Sequence, residues 1–92
     1  MLKYKVHFDD KFIKDLKKIK KRHYDISKLE QVIKLLATGE SLPGKYFDHE
    51  MVNMNGIRNC HIKKNWVLFY YKDEDSLLLL CLRTGTHDDL GI

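Results

Sequence analysis

Apolar and polar residues alternate over Tyr4-Lys5-Val6-His7-Phe8, which places Tyr4, Val6 and Phe8 on one face of a first strand. The period then changes. Phe12, Ile13, Leu16 and Ile19 recur at helical spacing, lysines fill the opposite face, and Asp9 and Asp10 offer N-cap oxygens. Lys17, Lys18, Lys20, Lys21 and Arg22 close that helix, where cations suit the negative end of its dipole. Ser27 and Glu30 fit a capping box with Ile26 as a hydrophobic staple. Leu29, Val32, Ile33 and Leu36 then form a second apolar stripe, which Gly39 stops. Gly39 to Gly56 reads as a long loop holding Pro43 and Asp48-His49-Glu50. Gly56–Lys63 and Trp66–Tyr71 read as strands joined through a polar turn, Lys72–Asp75, to Ser76–Arg83. That last strand is apolar on both faces, so a central place is expected for it. Thr84–Ile92 is a glycine-bearing tail. The order β-α-α-β-β-β is that of an α+β domain, with a helical hairpin covering a sheet.

Composition narrows the possibilities. A chain of 92 residues with 43% hydrophobic residues and one proline has room for a single packed domain, expected to span 1–92. A domain of this size buries only ~60–65% of the surface its unfolded chain exposes, so a deep internal cavity is not expected. The longest apolar run, Leu77–Leu82, is far short of the ~20 residues that cross a bilayer. The opening MLKYKVHF lacks the apolar segment and cleavage site of a signal peptide. Cys60 and Cys81 sit in strand-like runs, where a free thiol packs as a small hydrophobe. A cytoplasmic protein that touches no membrane is the expectation. Net charge is +4 but uneven: residues 1–22 carry nine Lys/Arg against Asp9, Asp10 and Asp15, and the remainder eight basic against ten acidic residues. An anionic partner is implied, met by the basic helix.

The chemistry-bearing residues lie elsewhere. His49 falls in the long loop, His61 in a strand running towards Trp66, and Arg83 and His87 flank a glycine turn in Arg83-Thr84-Gly85-Thr86-His87. An antiparallel sheet could bring these groups to one face. Imidazoles plus a guanidinium suit phosphodiester cleavage: histidine exchanges protons near neutrality, and a bidentate arginine stabilises charge developing on phosphorus. Each residue also has an ordinary reading. Surface histidines are common, as His7 and His23 are read here; Arg83 could pair with an acidic loop; and Trp66 could anchor the core or stack on a base. A metal site from Cys60, His61, Cys81 and His87 has no recognised ligand spacing, and neither metal nor cofactor is expected.

Lys21-Arg22-His23, Asp48-His49, Gly56-x-Arg58-x-x-His61-x-x-x-x-Trp66 and Arg83-Thr84-Gly85-Thr86-His87 occur in that order along nearly the whole chain. In this the sequence resembles the YafQ-like branch of the RelE/ParE superfamily, toxins of bacterial type II toxin–antitoxin pairs. The resemblance implies a microbial-ribonuclease-like fold, two N-terminal helices on a curved antiparallel sheet. It also implies a ribosome-dependent, metal-independent mRNA endonuclease, using the ribose 2′-OH as nucleophile and paired with an antitoxin in a hetero-oligomer. Residue by residue, His87 would be the general acid, His49 and His61 would supply or position the base, and Arg83 would hold the scissile phosphate. Trp66 would support the site or contact RNA, alongside Lys17, Lys18, Lys20, Lys21 and Arg22. Two positions depart from the family pattern: Asn65 stands where relatives carry aspartate, and the tail Leu90-Gly91-Ile92 lacks their aromatic ring. A gyrase-directed, non-catalytic toxin of the ParE type, or a plain RNA- or ribosome-binding module, would share the fold without needing this histidine set.

Overall fold

The computed structural model describes residues 2–92. Strand β1, Lys5–Phe8, leads through Asp9 into helix α1, Asp10–Lys21. Asp9 caps it, its carboxylate accepting from the Lys11 backbone N–H at 3.1 Å. Helix α2 spans Ile26–Ala37, and its cap is Asp25 rather than Ser27. Asp25 accepts from the Ser27 backbone N–H at 3.2 Å and also takes the Ser27 hydroxyl, so the serine is inside the helix and the expected capping box does not form. Gly39, with φ of +86°, follows the end of α2 where the periodic stripe stops.

The loop after α2 is more ordered than its sequence suggests. It contains a 3-10 turn, Gly44–Tyr46, and a two-residue strand β2, His49–Glu50. Strands β3 (Arg58–Lys63), β4 (Trp66–Asp73) and β5 (Leu78–Gly85) follow, and the tail folds into a four-residue helix α3, His87–Leu90. The sheet order is β1-β5-β4-β3-β2, which puts β4 in the middle and β5 inside it.

One expectation about this sheet needs correction. It is mixed: β2 to β5 pair antiparallel, but β1 runs parallel to β5. The β1 ladder covers β5 only from Leu78 to Cys81 and ends with the Asp9 N–H on the Cys81 carbonyl at 3.0 Å. Helix α1 then continues along the same edge, where Asp15 accepts from the Thr84 backbone N–H at 3.1 Å. Laying β1 and α1 end to end along β5 requires β1 to point the same way as β5. Alternation in β1 fixes its buried face but carries no information on its direction.

Both helices pack on one face of the sheet. Phe12 and Ile19 of α1, with Leu29, Val32 and Leu36 of α2, meet Cys60, Ile62, Trp66, Leu68, Tyr70, Leu79 and Cys81 in one core. Burial raises both thiols, that of Cys81 to about 12, so neither is a nucleophile near neutral pH. No helix among the described residues is long and apolar enough to cross a membrane. Leu68 is fully buried in the middle strand. Leu68→Ala is expected to lower the unfolding free energy by about 2–5 kcal/mol, measured as a shift in urea midpoint at unchanged slope; a near-neutral result would remove β4 from the centre of the core.

Candidate active site

The register of the sheet assembles the site on the face opposite the helices. His49 pairs with Asn59, Asn59 with Phe69, and Phe69 with Arg83, so these four form one row across the sheet. The adjacent row on that face is His61, Val67 and Gly85. Two residues past Gly85, His87 opens α3, and its ring centroid stands 5.3 Å from that of His61. Three histidines that are 12 to 38 residues apart in sequence thereby converge.

Each imidazole is held differently. The Nδ1 of His87 lies 2.8 Å from the Asn65 side-chain oxygen, which also accepts from the His87 backbone N–H at 3.3 Å. The backbone group can only donate, so the amide turns its oxygen inward, and Nδ1 must carry a proton to complete the pair. Nε2 is left for the substrate. His49 follows the same logic: its Nδ1 is 2.7 Å from the Phe47 carbonyl, which only accepts, so Nδ1 again holds the hydrogen. His61 stands between them. Its Nδ1 is buried without a partner, and its pKa is lowered by burial first and then by the charges of His87 and His49. A histidine shifted this way stays neutral near pH 7 and can accept a proton.

Arg83 is turned to an unexpected partner. Its Nε and Nη2 donate to the two carboxylate oxygens of Asp15 on α1 at 2.7 and 3.1 Å. That fork fixes the guanidinium at the sheet edge and leaves its other N–H groups for a ligand. A second carboxylate, Asp89, seats α3. It accepts from Arg22 Nη1 at 2.7 Å, Arg22 Nη2 at 3.1 Å and the Thr86 backbone N–H at 3.0 Å, and Lys18 lies 3.4 Å away. Thr86 and Asp89 complete a capping box at the start of α3. Gly85 makes room for this hub: its φ is +153°, and a Cβ there would sit 3.1–3.2 Å from the Asp89 side chain.

Asp15, Lys18 and Arg22 recur at intervals of three and four, one stripe of α1 directed at the end of β5 and at α3. Two residues read from sequence as RNA contacts, Lys18 and Arg22, pair with Asp89 while staying exposed, and Lys17, Lys20 and Lys21 are exposed as well. Of the two readings for Trp66, burial favours the core anchor over the RNA contact. It is 2% exposed, its Nε1 donates to Thr84 Oγ1 at 2.9 Å, and Tyr24 packs edge-on against it at 5.1 Å. No face of the indole is open to a base. Asp15 and Asp89 have no local signal in the sequence; Phe47 has one, as half of the aromatic pair Tyr46-Phe47 next to Asp48-His49.

The chain matches the family model described as "Bacterial toxin of type II toxin-antitoxin system, YafQ" over residues 4–91. It belongs to the YafQ toxin family. The "mRNA interferase toxin YafQ" of Escherichia coli strain B / BL21-DE3 is 37% identical to it over 95% of each chain. The toxin in the crystal structure of the E. coli DinJ-YafQ toxin–antitoxin complex superposes with a TM-score of 0.88 at 33% identity, covering 97% of this chain and 98% of that one. A metal-bound toxin from Helicobacter pylori superposes equally well, at 0.88 and 34% identity over 98% and 99% of the two chains. Among the described residues of this YafQ-family chain, no group of three His, Cys, Asp or Glu side chains is arranged to hold a metal ion.

Asp89 makes a pH-dependent contribution. Hydrogen bonding to Arg22 and to the Thr86 backbone holds its carboxyl well below the usual carboxylate range. A depressed folded-state pKa adds stability above the unfolded value, near 3.8, that is lost as pH falls below it. Asp89→Asn is expected to flatten the acid limb of the urea-unfolding stability profile below about pH 4.5; a limb as steep as the parent's would show that this ion pair is not formed in solution.

Proposed function

We propose that this chain is the toxin of a type II toxin–antitoxin pair and cleaves mRNA as a metal-independent, ribosome-dependent endoribonuclease. The juxtaposition of His61 and His87, rings 5.3 Å apart on the open face of the sheet, carries the reading, because it offers a proton acceptor beside a proton donor. The curated E. coli relative bears the name mRNA interferase, which supports the same reaction class.

In the proposed reaction a ribose 2′-oxygen attacks the adjacent phosphorus. Neutral His61, with His49 beside it in the same cleft, takes the 2′-OH proton. As the O2′–P bond forms, the P–O5′ bond breaks, and protonated His87 delivers its Nε2 proton to the departing 5′-oxygen. The products are a 2′,3′-cyclic phosphate and a 5′-hydroxyl. The Arg83 N–H groups that Asp15 does not occupy meet the charge growing on the phosphate. Asn65 positions His87 through its oxygen but, being neutral, adds no charge to stabilise the imidazolium.

The exposed lysines Lys17, Lys20 and Lys21 would guide the 1–92 domain onto ribosomal RNA, an attraction that falls steeply with salt. A cytoplasmic site of action follows from that substrate. The DinJ partner of the E. coli relative supports an antitoxin partner and a hetero-oligomer for this chain as well.

His87→Gln and Arg83→Ala should each reduce mRNA cleavage in a reconstituted translation system by at least ~10²-fold. Full cleavage by the His87 variant would refute the assignment. Asn65→Asp supplies a charge that stabilises the imidazolium, so the alkaline limb of the pH–rate profile should move to higher pH. The acid limb, set by His61, should fall below the ordinary histidine value of 6.5. An alkaline limb that stays in place would separate Asn65 from the acid.

A further inference from the structure

Phe47 is the most exposed aromatic among the described residues, at 66%, and it stands beside His49 and His61 of the proposed site. Its backbone is left-handed, φ +48° and ψ +44°, a conformation that bulky residues rarely adopt and that clusters at functional sites. The ring meets His61 nearly at right angles, 78° with centroids 5.7 Å apart, so no parallel stack with His61 covers it. The other exposed aromatic, Phe8, already stacks on Phe12 at 5.3 Å. Phe47 also lies on the wall of a cleft of about 640 Å³ that contains His49 and His61 and is rimmed by Lys28, Lys45, Lys63 and Lys64. An open aromatic ring among four lysines, next to the proposed base, is the chemistry of a subsite for single-stranded nucleic acid: the ring takes a base and the ammonium groups take the backbone.

We infer that Phe47 is the stacking platform for a nucleobase next to the scissile phosphate, with the Lys28, Lys45, Lys63 and Lys64 rim holding the flanking phosphates. This rests on the endoribonuclease reading and extends it from catalysis to substrate placement. Stacking is sensitive to the base, so the ring biases which sites are cut. The backbone carbonyl of Phe47 orients His49 whatever the side chain is, so substitution leaves that hydrogen bond in place; it also removes the edge contact with His61, whose loss would appear in kcat rather than in KM.

The test compares the parent with Phe47→Leu, Phe47→Trp and Phe47→Ala in a reconstituted translation system programmed with one mRNA, reading kcat/KM and the base at each cut. Phe47→Leu keeps an apolar side chain but no π-face, and should lose roughly 5- to 100-fold in kcat/KM, one base stack, with the loss in KM. The spread of cut sites should shift as well. Phe47→Trp should restore both, and thermal midpoints should match the parent's because the ring is exposed. Parent-like kcat/KM and cut sites in Phe47→Leu would overturn the proposal, as would failure of Phe47→Trp to restore them. Should the parent itself cut no mRNA, the endoribonuclease reading fails first, an outcome distinct from parent cleavage that is indifferent to residue 47.

Discussion

The carboxylate of Asp15 ties helix α1 to the far end of β5, and much of the site depends on that tie. It satisfies the Thr84 N–H on an edge that β1 leaves uncovered, and its second role is to clamp the Arg83 guanidinium. One and two turns further along α1, Lys18 and Arg22 reach Asp89 and so seat the short helix that carries His87. A single helical stripe therefore places both the cation and the acid of the proposed reaction. An unpaired strand edge and two unpaired charges would otherwise remain there, each of which costs stability when partly shielded from water.

The two faces of the sheet divide the work. The helix side is filled by aromatic and aliphatic residues at low exposure and includes Trp66, whose N–H and ring are both satisfied internally. The other side carries two short rows, His49-Asn59-Phe69-Arg83 and His61-Val67-Gly85. Because β4 supplies Val67 and Phe69 between the polar strands, His49 and His61 lie over a buried apolar floor, His49 exposed and His61 half-buried. A buried floor under an open face suits the proposed reaction on a presented substrate.

Periodicity was enough to read α1, α2 and the last three strands, because each has a buried face that repeats at 3.6 or 2 residues. The candidate histidines and Arg83 stand out by their types and spacing, and the sheet brings them together. What was not legible depends on non-local geometry. Arg22 and Asp89 are separated by 67 residues, and Arg83 and Asp15 by 68, so no local pattern announces either pair. The direction of β1 is invisible to alternation, and β2 is too short to have a period. Ser27 misled because Ser27-x-x-Glu30 copies a capping signature two residues past Asp25, the residue that caps the helix. Trp66 was ambiguous because an indole serves a core and a base equally well, and only its burial decides between them.

The seat of His87 is ionic rather than apolar. Helix α3 has four residues, none of them buried, and Arg22 and Lys18 reach its Asp89 from a solvent-facing side. Dissolved ions weaken such contacts, over a screening length of about 8 Å at physiological salt. Ionic strength would therefore act on this protein at two places at once, on the proposed attraction of its lysines for RNA and on the alignment of His87. A rise in salt is a disassembling agent for the site as well as a competitor for the substrate.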